Sequence, residues 1–97
     1  MISRAKLEVF TEMSSDTLTG ILLDQGYDTT DEPILFTKFK GINTRSATKL
    51  DFLYIVSYLD QSVTTGLADA TIIVTYDTMT EKLDAEYADG REYIADR

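Results

Sequence analysis

The chain has 97 residues, 43% of them hydrophobic and 27% charged, with a net charge of −8. That is the size of one domain with one modest core, too apolar for intrinsic disorder. It has no cysteine and no histidine, which excludes disulfides, thiolate chemistry and the commonest general base and metal ligand.

The charge is uneven. Residues 1–50 carry seven acids and six bases, whereas residues 51–97 carry ten acids and three bases. The stretch 33–50 holds Lys38, Lys40, Arg45 and Lys49 and no acid. A basic patch and an acidic C-terminal half are expected. The longest apolar run, "FLYIV" at 52–56, is far short of the ~20 residues of a membrane-spanning helix. Arg4, Lys6, Glu8 and Glu12 do not suit the apolar part of a signal peptide. No membrane contact and a cytoplasmic location are expected.

In chain order, "AKLEVFTEM" (5–13) alternates Ala5, Leu7 and Val9 against Lys6 and Glu8, which predicts a strand over about 5–12, although the spacing of Ile2, Ala5, Val9 and Met13 also fits a helix. A helix is predicted over about 15–26, capped by Ser15 or Asp16, with Leu18, Ile21 and Leu22 on one face and Gly26 at the left-handed C-terminal position. Gly20 in its interior costs ~1 kcal/mol against alanine, and the threonines nearby leave a strand as the alternative. After a polar loop, "ILFTKFK" predicts a strand over about 33–40 that ends at Gly41. "LDFLYIVSYL" (50–59) is apolar almost throughout, as in a central strand covered on both faces, with Phe52, Tyr54 and Tyr58 on one side, although such a run also fits a buried helix. Residues 60–69 predict a loop, and "ATIIVTYD" (70–77) predicts a strand.

The acidic end predicts a hairpin. Strands over 82–88 and 91–95 would turn at Asp89-Gly90, a preferred pair for a two-residue turn. Leu83, Ala85, Tyr87 and Ile94 then share one face, and Asp84, Glu86, Arg91 and Tyr93 the other. The class expected is a small, sheet-dominated, mostly antiparallel α+β single domain with one helix; an all-β domain is the alternative.

Chemistry is sparse. Placing Gly90 at the sixth position of a calcium loop puts Tyr87 at three and Ala85 at one, so ligands are missing and no metal site is expected. The five glycines are isolated, so no phosphate loop exists. A serine or threonine nucleophile would lack a histidine partner. No catalytic residue, cofactor or enzymatic activity is expected.

The residues assigned to partner binding are therefore acidic: Asp69, Asp77, Glu81, Asp84, Glu86, Asp89, Glu92 and Asp96. They suit a non-catalytic module that binds another protein with a basic surface, and in a sharper form an inhibitor that occupies a basic nucleic-acid-binding groove. Lys38, Lys40, Arg45 and Lys49 form a second contact patch. Phe36 shares the side of Lys38, with Phe39 opposite, so a run of stacking aromatics is not complete and direct nucleic-acid binding is not expected. The alternative is a structural subunit that self-associates, as a homodimer or larger oligomer, through opposite charged ends or an open sheet edge.

Overall fold

Ser3 and Ser14 decide where the chain turns helical. In a computed structural model, which describes residues 2–27, 29–30 and 33–88, both serines are extended and accept an amide hydrogen bond at 3.2 Å from the residue three positions on. They cap α1 (Arg4–Thr11) and α2 (Ser15–Asp24). The segment predicted as a strand at 5–12 is thus a helix, and the all-β alternative falls with it. Helical spacing turns Leu7 and Phe10 to the core and leaves Val9 57% exposed, against the alternation that placed Val9 inside. The cap of α2 is Ser14 rather than Ser15 or Asp16, because the Ser15 hydroxyl is spent on Thr37 at 2.9 Å.

Gly26 closes α2 as its position predicts. At φ +92° it lets the Tyr27 amide reach the Leu22 carbonyl and its own amide reach that of Leu23, both at 3.0 Å, satisfying two orphan acceptors.

Four antiparallel strands follow in the order β1-β2-β3-β4: β1 (Ile34–Thr44), β2 (Lys49–Leu59), β3 (Leu67–Asp77) and β4 (Leu83–Tyr87). The architecture is sheet-dominated α+β with two short helices. β1 does not end at Gly41 as predicted. The register shifts between Phe39 and Gly41 and the strand continues, an irregularity that a residue without a side chain tolerates. The loop after β2 is shorter than predicted, since β3 starts at Leu67. The turn at Asp89-Gly90 and the strand at 91–95 lie outside the described residues.

Both helices pack on one face of the sheet. Phe10 of α1 stacks on Phe52 with ring centroids 4.1 Å apart, and the Tyr54 hydroxyl donates to the Phe10 carbonyl at 2.7 Å. α2 crosses from one sheet edge to the other, from the Ser15–Thr37 bond on β1 to a Gln25 side-chain bond to the Leu83 carbonyl of β4. The core between the layers is Phe10, Leu18, Leu22, Phe52, Tyr54, Val56, Ile72 and Val74. β2 is central, as its apolar run predicts, but among the described residues it is covered on one face only. Phe52, Tyr54, Val56 and Tyr58 are buried, whereas Leu53, Ile55, Ser57 and Leu59 keep part of their surface in solvent.

Candidate functional site: the open face of the sheet

Strand alternation and register place the remaining side chains on the outer face in rows. One row runs Asn43, Asp51, Thr75, Asp84, and the next Gly41, Leu53, Ile73, Glu86. Then come Lys38, Ile55 and Thr71, then Phe36, Ser57 and Asp69, and last Leu59 and Leu67. Among the described residues, no helix packs on this side. Its middle is apolar, with Leu53, Ile55 and Ile73 half-buried, Phe36 66% exposed and Leu67 also exposed. One flank is basic at Lys38, and the other acidic at Asp84 and Glu86.

A polar network pins one end. Asp51 is buried, yet both carboxylate oxygens are satisfied: Arg45 Nε donates to one at 2.9 Å and Thr75 Oγ1 to the other at 2.7 Å. Arg45 extends a second, longer bond of 3.4 Å from Nη2 to Glu86. The hydrogen bond to Asp51, then its charge, holds the Arg45 guanidinium still further toward its cationic form. Arg45, Lys49, Thr75, Asp84, Ala85 and Glu86 line a shallow depression of about 270 Å³ beside it. With its acceptors occupied by an arginine and a threonine, Asp51 ties β2, β3 and the β1–β2 turn together.

The sequence predicts a basic patch separate from an acidic end; the fold brings the two into contact. Arg45 meets Glu86, and Lys49 stands opposite Asp77 across β2 and β3. Asp77 works inside its own turn: its carboxylate accepts the amides of Met79 and Thr80, which holds it below the usual carboxylate range. Glu81 lies in the same turn at φ +60°, its carboxylate 3.5 Å from the Tyr76 hydroxyl. Asp69 accepts from Ser57 at 2.8 Å. Asp84 and Glu86 project from the outer face of β4, while Leu83, Ala85 and Tyr87 point inward, as the alternation predicts. Asp89, Glu92 and Asp96 lie outside the described residues.

Among the basic residues, Lys38 faces outward opposite Ile55, and the irregularity after Phe39 takes Lys40 out of the register that would put it on the same side. Phe36 shares the face of Lys38, whereas Phe39 turns inward against Tyr54 with centroids 5.7 Å apart. The first and third positions of the calcium loop considered above, Ala85 and Tyr87, are buried in the sheet. No group of three or more acidic side chains among the described residues converges to hold a metal ion. No helix among them is long and apolar enough to cross a membrane.

Sequence reasoning misses the apolar middle of this face and the Asp51–Thr75 pair. The signal was there: a lone acid opens an otherwise apolar run, six residues after an arginine. Comparison of the chain with family models, curated proteins and solved structures finds no match.

Proposed function

We propose that this protein is a non-catalytic protein-binding module that works through the outer face of its sheet, with the acidic flank of Asp69, Asp84 and Glu86 as part of the contact. One observation carries the reading: among the described residues both helices cover the same side, leaving Leu53, Ile55 and Ile73 side by side on the other, with Phe36 in the row after Ile55 and Leu67 beyond the Ser57–Asp69 pair. An apolar centre with a charged rim is the composition of a protein interface.

Wild-type protein and two folded variants, Ile55→Glu on the outer face and Leu23→Glu on the exposed side of α2, are each immobilised and offered a lysate of the source cells. A partner held by wild type and Leu23→Glu but lost by Ile55→Glu supports the reading. A partner held equally by all three contradicts it.

Exposed Asp84 favours a second reading, in which Asp84 and Glu86, repeated at ~6.7 Å along β4, occupy a basic nucleic-acid-binding groove. Against it, Arg45, 3.4 Å from Glu86, sets a positive charge beside the short acidic row. This reading expects Asp84→Lys and added DNA to release the partner, with a steep loss in salt. An apolar contact expects neither.

A further inference from the structure

We infer that the occupant of the open face is a second copy of the same chain, its sheet stacked on the first about a two-fold axis parallel to the strands. This rests on the proposed reading of that face as a protein-binding surface and names its partner. The pattern of the rows supplies the geometry. Such an axis, running between β2 and β3, sets β1 of one copy over β4 of the other and β2 over β3, at the ~10 Å spacing of packed sheets. Leu53 then meets Ile73 of the partner copy, and Ile55 meets Thr71, each contact made twice. The central rows become a closed apolar layer built from Leu53, Ile55 and Ile73 of both copies.

The flanks match in the same arrangement and in few others. Lys38 on β1 comes to lie one row from Glu86 on the partner copy's β4, within reach of a lysine side chain, and the symmetry repeats the pair. Turning one sheet by 180° in its plane puts Lys38 over the partner's Lys38 edge and the two acidic strands together, so charge selects one orientation. Area is adequate as well. Strands of 11, 11, 11 and 5 residues at ~3.3 Å per residue and ~4.8 Å spacing present roughly 600 Å² of plane before side-chain relief is counted, close to the ~800 Å² per partner of a standard interface.

The experiment is sedimentation of the full chain across a concentration series, with Ile55→Glu, Lys38→Glu and Glu86→Lys alongside, each shown by circular dichroism to be folded. The expected result is a dimer for wild type and a monomer for Ile55→Glu. Each charge reversal should weaken association by about tenfold or more. An equimolar mixture of the two reversals should recover a heterodimer, because one of its charge pairs is then the native one and the other has both signs exchanged. Should Glu86→Lys fail to fold beside Arg45, Lys38→Glu and Ile55→Glu decide the matter alone. A wild type that stays monomeric to about 1 mM overturns the second copy as occupant and leaves the face free for a different partner. A dimer that survives Ile55→Glu overturns this arrangement, whereas the reading of the face on which it rests is overturned only if Ile55→Glu also keeps every partner that wild type captures.

Discussion

The two faces of the sheet are made from the same strands and stabilised in opposite ways. Every buried apolar strand residue points to the helices, whereas the buried side chains of the outer face are Asp51 and Thr75. On the inner side, burial of Phe52, Tyr54, Val56, Ile72 and Val74 drives folding. On the outer side, a satisfied polar pair holds register at one end while the apolar middle stays available. A one-residue step along β2 or β3 thus changes a residue's role from holding the fold to presenting a surface.

That contrast can be pressed from the largest expected effect downward. Phe10→Ala removes the ring stacked on Phe52 and should cost about 3–5 kcal/mol in urea denaturation. A loss under about 1 kcal/mol would mean α1 contributes little to the inner layer. Asp51→Ala leaves the Thr75 hydroxyl and Arg45 without their shared acceptor and should cost about 1–3 kcal/mol, without displacing the helices. Chemical shifts of α1 and α2 would show whether the damage stays on the outer side. Gly20→Ala meets no atom within 4 Å and lies in the interior of α2, so it should stabilise by about 0.5–1 kcal/mol.

Proton linkage probes the inner layer from the alkaline side. Burial pushes the Tyr54 phenol up, and burial followed by the Glu81 carboxylate does the same for Tyr76. Both therefore keep in the native state a proton that the unfolded chain releases near pH ~10. Their contribution is intact below that pH, and stability should fall as pH rises above it. Asp77 has the opposite sign: its lowered value gives stability present above the ordinary carboxylate range and lost as pH falls through the value it has in the folded chain. Urea midpoints followed from about pH 2 to 11 should show both losses, the acid one below the ordinary carboxylate range, and Asp77→Asn should remove its share of it.

Most of the sheet was legible because period-2 patterns survive in sequence. β3 alternates Ile72 and Val74 against Thr71 and Thr75, and β4 alternates Ala85 and Tyr87 against Asp84 and Glu86. The helix α1 was less legible because Ala5, Leu7 and Val9 alternate while Ile2, Ala5, Val9 and Met13 are helically spaced, and the Ser3 cap and the contact of Phe10 with Phe52 decide for the helix. Propensity does not carry that information; tertiary packing does. The run at 50–59 misled in another way. Three of its odd positions, Leu53, Ile55 and Leu59, are as apolar as a doubly covered strand requires, and only the polar Asp51 and Ser57 mark the side that the helices leave uncovered. The open face follows from this: Leu53, Ile55 and Ile73 are apolar positions that no described helix covers, which is the ground for the proposed contact.

The most direct test sets Ile72→Asp beside Ile73→Asp, adjacent residues on β3 that point to opposite faces. Urea denaturation at low protein concentration and sedimentation at high concentration would be measured for both. Ile72 is fully buried, so an unpaired carboxylate there should cost several kcal/mol and leave little folded protein out of a total of about 5–15 kcal/mol. Ile73→Asp should keep the fold with a loss of about 1 kcal/mol or less and abolish association. An Ile73→Asp chain that unfolds like Ile72→Asp, or that folds and associates like wild type, would contradict the division of labour between the two faces.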